Sequence, residues 1–156
     1  MKKVSVLLVV VTAIMLVLLT GCQTSRTPLT ANEFKTKAEA AGYDVQDAKS
    51  QFAEGVVSDY LIAVKGTTAI DYQIEFAVVP TANQAIDSYH QNRTTFENKP
   101  GTATYTSANV GNYSNYYVTK GGRYYVISRI DNTFIYIDAS ADYKDEIASF
   151  LKELGY

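Results

Sequence analysis

Apolar positions follow three different spacings along this chain, and each spacing predicts a different kind of segment. The first is an unbroken run from Val4 to Leu19, interrupted only by Ser5 and Thr12. The second is helical. Phe34, Ala38 and Ala41 recur at i, i+4 and i+7 behind Thr30-Ala31-Asn32-Glu33, a Thr-x-x-Glu capping box, and Gly42 stands where a left-handed stop belongs. The same logic predicts a helix after Pro80, opened by Thr81-Ala82-Asn83-Gln84. It carries Ala82, Ala85, Ile86, Tyr89 and Phe96 on one stripe, with Arg93 at its edge, and ends at Asn98-Lys99-Pro100-Gly101. A last helix over 141–154 aligns Tyr143, Ile147, Phe150, Leu151 and Leu154 and stops at Gly155.

The third spacing is alternation. Ile70, Tyr72, Ile74, Phe76 and Val78 alternate with Asp71, Gln73, Glu75 and Ala77, the signature of a strand with one buried face. This strand, 69–79, pairs with 57–65 across a turn at Lys65-Gly66-Thr67-Thr68. Tyr43 to Asp47 reads as a short strand, and 48–55 shows no pattern. Four strands follow the second helix, at 102–107, 113–120, 123–130 and 133–138, divided by Gly111-Asn112, Gly121-Gly122 and Asp131-Asn132. The last two pairs are two-residue hairpin turns. Hairpins give antiparallel neighbours, so the expected fold class is α+β: a mostly antiparallel sheet of five to seven strands with three helices packed on one face. An internal repeat is also suggested. Thr30-Ala-Asn and Thr81-Ala-Asn both start helices, and Asp59-Tyr60…Lys65-Gly66 is echoed by Asn115-Tyr116…Lys120-Gly121.

The turns also set a register, with Thr119 facing Tyr124, Val118 facing Tyr125, Arg129 facing Phe134 and Ile127 facing Tyr136. One side then holds Val126, Ile130, Ile135 and Ile137, a core face. The other collects aromatic and basic residues: Tyr116, Arg123, Tyr125, Arg129, Phe134 and Tyr136 are the candidate binding face. Rigid rings supply contact area at low entropy cost, and guanidinium groups supply direction. The same face is equally explained by cross-strand pairing for stability, or by burial under a helix.

The first apolar run changes where all of this is expected to reside. Lys2 and Lys3 precede it, and Leu19-Thr20-Gly21-Cys22 closes it with small residues before the only cysteine. Its sixteen residues fall short of the ~20 that a spanning helix needs. The Leu-x-Gly-Cys ending resembles the lipobox of bacterial lipoproteins. That resemblance covers residues 1–22 and implies a signal peptide over 1–21, with a diacylglyceryl group on Cys22. It further implies a lipid-anchored protein on the extracytoplasmic face of the cell membrane, or on the outer membrane of a two-membrane envelope, since Gln23 is not Asp. Two acyl chains suffice for stable anchoring. Residues 22–29 then form the lipidated cysteine and a short tether, and 30–156 a single domain.

Composition narrows the chemistry. Without Lys2 and Lys3, 12 basic residues face 16 acidic ones, a formal charge of −4, with no polybasic stretch of the kind nucleic-acid binding requires. With Cys22 acylated, neither disulfides nor thiol chemistry remain. His90, the only histidine, lies off the apolar stripe of its helix and has no partner motif. Asp138-Ala-Ser140-Ala-Asp142 with Glu146 resembles the start of a calcium loop but has Tyr143 where the turn glycine belongs; Ser140 as a helix cap accounts for the same residues. No phosphate loop, nucleophile elbow or paired-carboxylate motif is present, and no cofactor or metal is expected. The expected function is a non-enzymatic binding or accessory module for an envelope protein, peptide or glycan. Two other readings are a small envelope hydrolase using carboxylate chemistry and a structural subunit of a membrane complex.

Overall fold

The computed structural model describes residues 25–66 and 71–156. The signal segment, Cys22 and part of the Lys65–Thr68 turn lie outside the described residues. Helix α1 (Ala31–Ala40) opens with both halves of the Thr30/Glu33 capping box in place, and α2 (Ala82–Glu97) with both halves of Thr81/Gln84. Strand β1 (Asp44–Asp47) is followed by a 3-10 turn at Lys49–Gln51, where the sequence showed no pattern, and by the pair β2 (Asp59–Lys65) and β3 (Tyr72–Val78). After α2 come β4 (Ala103–Val110), β5 (Tyr113–Lys120), β6 (Arg123–Ile130) and β7 (Thr133–Ser140). A 3-10 turn at Ala141–Tyr143, capped by Ser140, leads into α3 (Lys144–Leu154), which ends at Gly155 with φ +86°.

The strands form one seven-stranded sheet in the order β1-β2-β3-β7-β6-β5-β4, every neighbouring pair antiparallel. The α+β class and the strand and helix complement are as expected. So is the hairpin register, from Thr119 opposite Tyr124 to Ile127 opposite Tyr136. Asp131 holds φ +52°, as a two-residue turn requires of its first residue.

The helices do not share one face. On what we call the front face, Phe34 and Ala38 of α1 and Ile147, Phe150, Leu151 and Leu154 of α3 pack with Leu61, Ala63, Ile74, Phe76, Val126, Ile135 and Ile137. On the back face, Tyr89 and Phe96 of α2 pack with Tyr116, Val118, Tyr125 and Ile127. The reason is that a sheet whose strands are apolar on both sides needs cover on both. Ile127 and Val118 on the back are as deeply buried as Val126 and Ile137 on the front.

The repeat suggested by the sequence gives this division a geometry. Helix–strand–hairpin occurs twice, as α1-β1-β2-β3 and α2-β4-β5-β6, and the two sets of strands flank β7 in mirrored order. Both β3 and β6 run antiparallel to β7. The topology therefore has the symmetry of a two-fold along β7, which reverses strand order and exchanges faces. Phe34 and Ala38, buried on the front, correspond at the capping-box offset to Ala85 and Tyr89, buried on the back. Even the helix ends agree. Lys65 Nζ donates to the Ala41 carbonyl at 2.9 Å, and its counterpart Lys120 Nζ donates to the Glu97 carbonyl at 2.8 Å. Each cation thus satisfies an orphan carbonyl at the negative end of its helix.

Candidate functional site

Burial under a helix is what befell half of the aromatic-basic face. Tyr116, Tyr125 and Arg129 are 4, 5 and 6 % exposed, so these three are core residues and not a free binding surface. Phe96 stacks at a tilt over Tyr125 and Tyr136, with ring centroids 5.0 and 5.4 Å apart. The Tyr89 hydroxyl donates to the Asn115 carbonyl at 3.0 Å. Cations meet rings here within the molecule: Arg93 lies 5.0 Å from the Tyr116 ring centre and Lys99 lies 5.7 Å from that of Tyr125. Arg129 donates to the Asn112 carbonyl at 3.1 Å, its Nε has no partner, and burial lowers its pKa. The sequence held one signal for this outcome. Tyr89 and Phe96, seven residues apart on one stripe, need an aromatic-sized surface to cover.

The remaining three residues, Arg123, Phe134 and Tyr136, lie where the cover of α2 ends. Arg123 is exposed and pairs with Asp138, donating also to the Asp138 carbonyl at 3.0 Å. Phe134 and Tyr136 are half-buried. Beyond them, among the described residues, the back of β1, β2 and β3 meets only the start of α2, whose Ala85 packs with Tyr60 and Ala77, and the contrast with the front of the same strands is direct. Leu61, Ala63, Ile74 and Phe76 are buried in front, whereas Ile62, Val64, Gln73 and Glu75 behind them are only half-buried.

A segment of chain covers part of this open half. The stretch from Lys49 to Val57 crosses back over β2, with Ala48 donating its amide to the Tyr60 carbonyl at 2.9 Å and Phe52 resting 4.5 Å from the Tyr60 ring. Between this segment and α2 lies a cleft of about 290 Å³. Val57, Tyr60, Val79 and Phe134 line its apolar side, and Gln84 and Asp87 are among the polar residues that α2 contributes. Phe52 and Val56, also in its wall, remain 36 and 47 % exposed. Beside the cleft the Tyr60 hydroxyl donates to the Glu75 carboxylate, which Gln73 also meets at 3.0 Å. Burial, and then Glu75, push the Tyr60 hydroxyl well above its ordinary pKa, so it stays a neutral donor.

The arrangement offers an apolar slot with Asp87 in its polar wall and the Glu75 carboxylate bonded to Tyr60 beside it, suited to holding a side chain. Glu75 is the only carboxylate in the Tyr60–Gln73 hydrogen-bond group. Ser140 acts as a cap: the Asp142 amide donates to Ser140 Oγ at 3.4 Å, which accounts for the Ser140–Asp142 part of the acidic spacing. Among the described residues no cluster of three metal-ligating side chains occurs. A scan against family models, a search of curated proteins and a search of solved structures each found no match to this chain.

Proposed function

We propose that this chain is a lipid-anchored, extracytoplasmic, non-catalytic module that binds an envelope protein through the open half of its back face. Support for the address comes from the sequence of residues 1–22. Support for the site comes from one observation: among the described residues the back of β2 and β3 has little of the helical cover that their front has, and Phe52 and Val56 stand exposed over an apolar cleft there. Exposed large apolar groups beside a cleft are a feature of docking sites. The partner segment is one with a large apolar side chain flanked by Lys or Arg. The first fits the slot, and the second answers Glu75 and Asp87 and the net charge of −4 on residues 22–156.

The test is crosslinking and recovery from intact envelopes, with the lipidated protein and a Phe52→Glu/Val56→Glu variant as parallel baits. A protein recovered at least tenfold better by the wild type supports the reading. Equal recovery of the same material by both baits overturns it. Phe52 and Val56 are exposed, so the variant is expected to keep its fold, whereas Tyr125→Ala would open a cavity under α2 and confound the comparison.

A further inference from the structure

The segment joining the proposed anchor to the domain is much shorter than its polar composition suggests. Residues 23–29 read as a tether of about 20 Å at ~3.1 Å per residue. In the structure the domain instead takes hold of the chain at Arg26. The Arg26 amide donates to Asn112 Oδ1 at 3.0 Å, and Asn112 Nδ2 returns a bond to the Arg26 carbonyl at 2.7 Å, a reciprocal pair like one rung of a strand ladder. The Arg26 guanidinium lies 3.5 Å from the centre of the Tyr113 ring and donates to the Gly155 carbonyl at 2.8 Å. Three residues further on, Leu29 packs against the front core.

All these partners sit at one end of the sheet. Asn112 is in the β4–β5 turn, whose carbonyl accepts from the Asp131 amide in the β6–β7 turn at 2.8 Å. Asn132 accepts from the Val79 amide at 2.9 Å and donates to the Val79 carbonyl at 2.9 Å, so the end of β3 and the start of α2 lie at this end too. Only four peptide units separate Cys22 from Arg26, at most about 14 Å when fully extended. The eight-residue strands rise about 27 Å from this end to the other.

We propose that the partner of this turn end is the bilayer itself: Arg26 locks the domain upright, with Val110, Asn112 and Asp131 toward the lipid headgroups and the Gly121-Gly122 turn pointing away. The inference rests on the lipid-anchor reading of Cys22. A four-residue leash attached to a rigid body at one end permits no other end to reach the surface while the Arg26 contacts hold. Val110, 51 % exposed at the tip of β4, then meets the headgroup region and not water. The cleft, walled by Val57, Val79 and Gln84, opens in the half of the domain nearer the membrane. Its occupant is therefore a juxtamembrane segment of the envelope protein.

The test uses the full lipidated protein in phosphatidylcholine/phosphatidylglycerol vesicles that contain a spin-labelled lipid. Acylation of Cys22 leaves no free thiol, so a single fluorophore can be placed by Ser58→Cys at the turn end or by Thr102→Cys at the far end, both exposed. The expected result is at least threefold stronger quenching at position 58 than at 102, with the difference collapsing in Arg26→Ala/Asn112→Ala protein. Equal quenching at the two positions in otherwise wild-type protein overturns the proposal, as does an unchanged difference in the double variant. Intact mass of the vesicle-bound protein separates this from the reading beneath it. An unacylated Cys22 overturns the anchor, whereas an acylated Cys22 with equal quenching overturns only the orientation.

Discussion

The front and back of this sheet are made from the same strands and have been finished differently. In front, α1 and α3 together complete a continuous core in which Phe34 stacks on Phe76 at 4.5 Å and Tyr156 closes against Phe76 from the end. Behind, a single helix covers β5, β6 and part of β7, and the buried residues fall into two separate groups on either side of Phe134. The two-fold along β7 accounts for α1 and α2, one per face. It does not account for α3, which has no counterpart behind among the described residues. The back of β2 and β3 is the position that such a counterpart would cover. The difference teaches that stability is concentrated on one face, which leaves the other free to expose apolar surface.

The comparison breaks first, and hardest, at Phe76. Phe76→Ala removes a fully buried ring from the front core and is expected to cost about 4 kcal/mol, read as a lowered urea midpoint with unchanged slope. Phe96→Ala strips the ring that holds α2 over Tyr125 and should cost about 3 kcal/mol. A loss below about 1 kcal/mol would show that α2 lies loosely and that the back face is more open than described.

Alkaline pH sharpens the contrast through Tyr124, a front-face residue whose hydroxyl burial pushes up to about 12 from an ordinary 10. The folded chain favours the protonated phenol. Its contribution is therefore whole below pH 10, declines as the pH climbs from 10 to about 12, and is lost above that. By pH 12 the loss is on the order of 2 kcal/mol. Urea midpoints measured from pH 8 to 12 should fall less steeply in Tyr124→Phe protein than in the wild type. The smallest effect on stability belongs to the cleft. Phe52→Ala should change the unfolding free energy by less than about 0.5 kcal/mol while still weakening partner recovery, because Phe52 is only partly covered.

Much of this architecture is legible in the sequence because hairpins are local. Two-residue turns leave one register open to each strand pair, and alternation then decides which side chains share a side, so Val126, Ile130, Ile135 and Ile137 could be placed together from spacing alone. The side on which a helix lands is a different matter. The stripe of Ala85, Tyr89 and Phe96 says that α2 must dock, but period alone does not say against which side. Tyr116 and Tyr125, with basic residues around them, look the same whether water or α2 lies above. The expectation of three helices on one face failed for that reason. The Arg26 clamp left no trace at all, since its partners at Asn112 and Gly155 are 86 and 129 residues away.

The sheet order also has a consequence in time. The chain builds β1-β2-β3 early, yet the second neighbour of β3 is β7, the last strand made, and every strand between them pairs within its own meander. Until β7 arrives, β3 carries a row of unsatisfied amides and carbonyls, and the front core lacks Ile135, Ile137 and the whole of α3. A chain emerging N-terminus first can form hairpins but cannot close its core. Final assembly waits on the stretch from β7 onward, residues 133–156.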